Sequence, residues 1–208
     1  MLKAVLFDLD GTLLLSDEEV FYNAYFKALG EFCKDIVNPY KLVEKIQHII
    51  KIITLQDGKM TNYERFMNEM SKEMGEELAK KLEERFNTFY ATDFDKLKSL
   101  TLPNESLIKW MRELKTKRVL ATNPIFPRIA IVKRMKWAGL REDEFDIVTV
   151  MEDFHYLKPR KEYYLEISDK LGVPADSCLM IGNDEILDGA CTKAGMEFKS
   201  IEEMKKEL

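Results

Sequence analysis

Cysteine is scarce: Cys33, Cys178 and Cys191 are the only three in 208 residues, and they fall in no metal-ligand spacing. That excludes a disulfide-stapled scaffold and a cysteine-built zinc site, and an odd count suits reduced structural thiols. Long apolar runs are missing as well. No stretch approaches the roughly 20 residues that span a bilayer, and no signal peptide precedes the first apolar run. The expected compartment is the cytoplasm, without membrane attachment. A basic surplus is also lacking, since 32 Lys and Arg face 37 Asp and Glu for a net charge of −5. General nucleic-acid binding needs a concentrated basic surface and is excluded. Short basic runs such as "KTKR" (Lys115 to Arg118) read as solvated helix ends. Internal repeats and low-complexity linkers are absent too.

What remains is a globular chain, 46% hydrophobic and 33% charged, long enough for one domain or two small ones. Leu2 to Phe7 form a short apolar run that reads as a strand buried on both faces. Helical signals then follow without an intervening strand. Ser16 and Glu19 make a capping box. Asn38-Pro39 opens a helix through about Ile52, and Thr61 with Glu64 repeats the box. "EELAKKLEERFNTFY" has helical periodicity. After Leu102-Pro103 the pattern alternates: helix to about Lys115, strand Arg118 to Ala121, helix to Gly139, strand Ile147 to Val150, helix to Gly172, strand Cys178 to Ile181, helix to near Gly195, and a last strand near Glu197 to Ser200. Alternation of this kind implies right-handed crossovers and a mostly parallel sheet. The expected fold is therefore α/β, Rossmann-like, flanked by helices. Residues 1–15 and 99–208 form its core, and an all-helical segment, 16–98, is inserted into it.

Ligands of open parallel sheets bind beyond the carboxyl ends of the strands, so the residues just past each strand carry the functional signal. After the first strand stand Asp8 and Asp10, which share a side of an extended backbone while Leu9 points away. Thr122, Asn123 and Pro124 follow the second strand and offer a hydroxyl and an amide to an anionic oxygen. Lys158-Pro159 precedes a helix, where a lysine opposes the helix dipole but suits an anion shared with that helix start. "GNDEILD" follows the fourth strand and places Asp184 and Asp188 on one face of a helix beginning there. Four carboxylates at one sheet edge need a cation or raised pKa values, because two unit charges 4 Å apart repel by about 4 kcal/mol at an effective dielectric of about 20. Oxygen-only ligands favour Mg²⁺. An acidic metal site beside a basic anion site reads as phosphoryl transfer.

Together these residues resemble the haloacid dehalogenase superfamily, in its phosphatase branch. "DLDGT" matches the first motif, Thr122 in "LATN" the second, Lys158 in "LKP" the third, and Asp184 with Asp188 in "GNDEILD" the fourth. The resemblance implies that Asp8 is the nucleophile and that Asp10 is the acid and base of an aspartyl-phosphate mechanism. It implies Mg²⁺ held by Asp8, the backbone carbonyl of Asp10 and Asp184, with Asp188 contributing directly or through water. Thr122, Asn123 and Lys158 would hold the phosphoryl oxygens. It also makes residues 16–98 a cap that excludes water and selects the substrate, a small phosphorylated metabolite. One departure is Asn183, where many relatives have Asp directly after the glycine.

A phosphomutase would use the same core chemistry. A response-regulator receiver shares an acceptor Asp, a Thr and a Lys, but keeps its acceptor away from the first strand and has no helical insertion. A non-enzymatic phospholigand-binding or partner-binding descendant is a third alternative.

Overall fold

The structure, a computed structural model, describes residues 1–55 and 57–207. Strand β1 (Ala4–Phe7) is buried at every position, as a strand covered on both faces must be. It lies between β4 (Lys117–Leu120) and β6 (Cys178–Gly182), parallel to both. Strands β5 (Ile147–Val148) and β7 (Glu197–Ser200) complete a five-stranded parallel sheet of order β5-β4-β1-β6-β7. The expected Rossmann-like α/β architecture is present. Val5 and Phe7 enter one apolar core, and Ala4 and Leu6 the other, which is the alternation a pleated strand requires.

Register sets the site. Phe7 is level with Leu120 on one side and Ile181 on the other, and the ladder continues through Asp8 N to Ile181 O (2.9 Å) and Ala121 N to Phe7 O (2.7 Å). Asp8 is therefore level with Ala121 and Gly182, and Thr122 and Asn183 follow one residue further at the carboxyl edge. This is where strand order turns, with β4 and β5 on one flank of β1 and β6 and β7 on the other.

A short antiparallel ribbon of β2 (Leu14–Ser16) and β3 (Thr101–Pro103) carries the chain out of this core and back. Between them lie α1 (Glu18–Phe32), α2 (Pro39–Ile53), α3 (Asn62–Met74), α4 (Glu76–Ala91) and a 3₁₀ segment, Asp93–Leu100. Caps explain several starts. Asn38 accepts from Tyr40 N and Lys41 N ahead of Pro39, and the Thr61–Glu64 box is formed. The Ser16–Glu19 box is not. Ser16 is paired with Thr101 in the ribbon, so the helix begins one residue later, with the Asp17 carboxylate accepting from Val20 N at 3.0 Å.

Helices α5 (Glu105–Glu113), α6 (Arg128–Trp137), α7 (Lys161–Leu171) and α8 (Ile201–Met204) belong to the sheet layers. The α7 helix ends on Gly172 in the left-handed region. The helical insertion docks on the core through polar as well as apolar contacts. Asn62 N and Tyr63 N donate to Phe154 O and Met151 O, both at 2.8 Å, and Trp137 Nε1 donates to Asp95 at 2.9 Å. Between them Tyr25, Phe94, Phe126 and Trp137 join one continuous core.

Inside that core the Tyr25 and Tyr90 hydroxyls bond each other at 2.6 Å. Removing either one leaves the other buried and unpaired, at a cost of about 1–3 kcal/mol. Urea unfolding should therefore show Tyr25→Phe and Tyr90→Phe each destabilised, while the double variant loses less than the two single losses summed.

Candidate active site

Asp8 leaves β1 into a buried position, and its Oδ1 accepts from Lys158 Nζ at 2.8 Å. Lys158 is itself 3% exposed and reaches Asp188 Oδ1 at 2.5 Å. One ammonium thus sits between two buried carboxylates. Burial alone would push Lys158 down; Asp8 and Asp188 outweigh it and hold the ammonium well above its ordinary range. Asp8 is pushed up to about 7. Burial is the largest cause, Lys158 opposes it, and Asp188 and Asp10 push further upward. Negative charge is in excess here even with the lysine in place.

Each of the other sequence-derived site residues lies around the same pocket, which encloses about 490 Å³ including its open mouth and is lined by Asp8, Asp10, Thr122, Asn123, Lys158, Asp184 and Asp188. Thr122 is held through its carbonyl, which accepts from Thr149 Oγ1 (2.6 Å) and Tyr163 Oη (2.9 Å), leaving its hydroxyl unbonded. Asn123 Oδ1 accepts from Lys158 N at 3.1 Å, which leaves its NH₂ as a donor. Hydroxyl, amide and ammonium together form the donor side of the pocket.

The segment after β6 departs from the sequence reading. No α-helix begins at Asp184. A turn is followed by a 3₁₀ helix, Gly189–Ala194. The Asp184 carboxylate folds back to accept from Ile186 N (2.7 Å) and Leu187 N (2.8 Å), and Asp188 Oδ2 accepts from Asp184 N (3.1 Å). These side-chain-to-backbone bonds compete with helix formation. Asp188 is pressed against Gly182, where a Cβ would collide with its carboxylate. Both carboxylates still reach the pocket, because Asp188 N bonds Asp184 O at 2.8 Å and closes one turn between them.

Asn183 is committed elsewhere. It accepts from Thr12 Oγ1 at 3.2 Å and donates to Glu18 Oε1 at 3.0 Å, lying over Gly11, whose φ of 74° and lack of a Cβ permit the contact. His155 is paired with Glu166 at 2.8 Å and is not part of the pocket lining.

Sequence reasoning missed three residues. Arg134 of α6 is fully buried, ion-paired with Asp10 Oδ2, and stacked 4.3 Å from the Phe126 ring centroid. Its Nε and Nη2 make no hydrogen bond. Only the close interleaving of basic and apolar residues in "IAIVKRMKW" hints at a helix without a clean polar face. Glu18 and Tyr22 enter the pocket from α1, and nothing in their local pattern separates them from an ordinary helix start.

A divalent cation fits the donor chemistry. Asp8 Oδ2 and Asp184 Oδ2 accept no hydrogen bond, in contrast to the partnered oxygens of the same residues, and a set of oxygens suits a hard ion. Among the described residues no three acidic, His or Cys side chains are gathered into a ready-made shell. Both Asp188 oxygens are already engaged.

A parallel α/β core with an acid–lysine pocket at its carboxyl edge and a helical insertion after the first strand defines the class. The model of the haloacid dehalogenase-like hydrolases matches residues 2–189, and the chain belongs to that family. No curated protein matches it. Solved structures similar in fold include a predicted hydrolase of this family from Porphyromonas gingivalis, with 19% identity and a TM-score of 0.59 over 100% of this chain and 98% of that one. Another is a family enzyme from Bacteroides thetaiotaomicron, an aspartate-to-alanine variant in complex with magnesium and inorganic phosphate (18%, TM-score 0.55, 96% and 94% covered). A β-phosphoglucomutase from Clostridium difficile is a third (22%, TM-score 0.56, 99% and 88% covered). Among the described residues no helix is long and apolar enough to cross a membrane.

The charge excess has a measurable consequence. Asp8 binds its proton more tightly when folded, at about 7, than at its ordinary 3.8. The metal-free fold therefore loses stability from this group as pH rises through that window. In chelator, the melting temperature of Asp8→Asn relative to the native chain should rise between about pH 4 and about pH 8; a difference independent of pH would show that Asp8 does not titrate there.

Proposed function

We propose that the protein is a Mg²⁺-dependent phosphatase of small phosphate monoesters, with residues 16–98 as the cap over its pocket. The observation that carries this reading is the Asp8–Lys158–Asp188 arrangement facing the Thr122 and Asn123 donors. A carboxylate is available for attack, and donors beside it suit the three outer oxygens of a phosphoryl group.

In this reading Asp8 attacks phosphorus, and the bond from phosphorus to the substrate oxygen breaks. The departing oxygen takes a proton from Asp10. Asp10 then takes a proton from water as that water attacks the phosphorus of the aspartyl-phosphate, returning Asp8 and releasing inorganic phosphate. Lys158 offsets the charge of Asp8 and binds a phosphoryl oxygen, and Asp188 keeps the ammonium in place. Thr122 Oγ1 and the Asn123 amide bind the remaining oxygens. Arg134 holds the Asp10 carboxylate from behind. Asp8, the Asp10 backbone carbonyl and Asp184 would hold Mg²⁺, with Asp188 acting through Lys158 rather than on the metal. When bound, the ion supplies positive charge against the excess of carboxylates and polarises the phosphoryl oxygens.

Phosphate release from acetyl phosphate and from an aryl phosphate, with and without Mg²⁺, tests this. Turnover should require the metal and should fall by at least about a thousandfold in Asp8→Asn, because an amide is no nucleophile. Near-native turnover in that variant would overturn the assignment. Lys158→Met should lower kcat by a factor of about a hundred or more, the size expected for losing one charge-stabilising donor.

A further inference from the structure

Directly against the phosphate pocket lies a second cleft, and Tyr22, Ile125 and Phe126 line both. It encloses about 670 Å³, open solvent at its mouth included. All four long helices of the insertion contribute walls: Phe26 from α1, Ile46 from α2, Phe66 from α3 and Phe86 from α4 are examples.

Most of the polar groups inside this cleft are already satisfied by one another. Tyr25 and Tyr90 share their hydroxyl bond, and the Tyr63 hydroxyl donates to Glu83; Asn87 stands at the exposed rim. A sugar or nucleoside entering here would give up its bonds to water and find few partners in return, which is costly for each hydroxyl. An aromatic or branched aliphatic body would lose nothing polar and would bury its surface against aromatic walls.

Tyr22 differs from the other tyrosines. It stands at the junction of the two clefts, and its hydroxyl makes no hydrogen bond although Asp10 and Glu18 line the same pocket. A donor at that point faces the place where the phosphoryl group meets the rest of a substrate.

We propose that this cleft binds the leaving group, that the substrate is the phosphate monoester of an apolar, ring-bearing or branched alcohol, and that the Tyr22 hydroxyl donates to an oxygen of its phosphate group. The proposal rests on the phosphatase reading. It sets the chain apart from an enzyme of sugar phosphates, because specificity comes from burial and not from a lattice of hydrogen bonds.

The test compares 1-naphthyl phosphate, glucose 6-phosphate and acetyl phosphate with Mg²⁺ present. Acetyl phosphate has almost no body, so it reports the core chemistry alone. The expected result is a kcat/KM for 1-naphthyl phosphate about fiftyfold or more above that for glucose 6-phosphate, the range that burying one aromatic side chain supplies. Phe66→Asp should cut the naphthyl-to-acetyl ratio at least tenfold, and Phe66→Leu should keep it. Calorimetry on Asp8→Asn, which cannot turn over, should show 1-naphthyl phosphate binding at least tenfold more tightly than inorganic phosphate. Turnover of acetyl phosphate with no preference between the two esters, or a preference for glucose 6-phosphate, would overturn the cleft assignment and leave the phosphatase reading standing. Absence of metal-dependent turnover on all three would overturn the phosphatase reading, and the substrate assignment with it.

Discussion

A lysine ammonium buried between two carboxylates governs the carboxyl edge of this sheet. Buried charges are tolerated only when paired and hydrogen-bonded, and Lys158 has both Asp8 and Asp188 within ion-pair distance. That one requirement reaches into three elements. Asp188 must approach the end of β6, so position 182 has no room for a side chain. The segment after β6 must turn tightly, which it does through the Asp184 carboxylate and its backbone donors. The lysine backbone must be fixed as well, and Asn123 after β4 accepts its N–H. The residues that make the pocket chemically unusual are also those that give its loops their shape.

Asp8 and Asp10 are two residues apart, yet each has its own cation from a different part of the chain. Asp8 faces Lys158 from the loop before α7, and Asp10 faces Arg134 from α6. Leu9 between them is fully buried and points into the core, so it keeps the two carboxylates on separate neighbours. This division gives the two carboxylates different surroundings. A carboxylate locked to a buried ammonium keeps a fixed direction toward the pocket. The one paired with a guanidinium lies at the pocket edge, with 20% of its side chain exposed. Arg134 in turn stacks on Phe126, a wall shared by the phosphate pocket and the apolar cleft, so the charged and apolar parts of the site lean on one ring.

The sheet was legible because its central strands β1 and β6 are short apolar runs, buried at every position, and strands alternate with helices after residue 103. The pocket residues were legible for a related reason: strand ends in a parallel sheet face the same edge, so Asp8, Thr122, Lys158, Asp184 and Asp188 could be brought together from order alone. Arg134 was not legible. Arginine in a helix is ordinarily exposed, and its partners Asp10 and Phe126 come from separate parts of the chain. The missed capping residue at Asp17 has a local cause. Ser16 satisfies the sequence pattern, but tertiary pairing with Thr101 takes it into the ribbon, and the helix start yields by one residue. The ribbon itself escaped notice because three-residue strands leave almost no periodicity to read. The cleft beneath the helices was likewise invisible, since an aromatic wall facing a cavity and one facing a packed core have the same spacing.

That ribbon joins the acidic edge of the sheet to the helical insertion. The chain enters it four residues after Asp10, where Gly11 N bonds Leu14 O at 2.8 Å and Leu14 N bonds Leu9 O at 2.8 Å. On the return side Asn104 donates to the Thr12 carbonyl at 2.9 Å, while its backbone N–H reaches Leu13 O. Thr12 in turn holds Asn183, and Asn183 holds Glu18 at the start of α1. A path of hydrogen bonds thus runs from the turn after Asp10, through the loop after β6, to the first helix that forms the cleft. The turn that follows Asp10 and the helix that carries Tyr22 are therefore tied into one junction. The position of the helical insertion and the position of the acidic side chain are set by the same few residues.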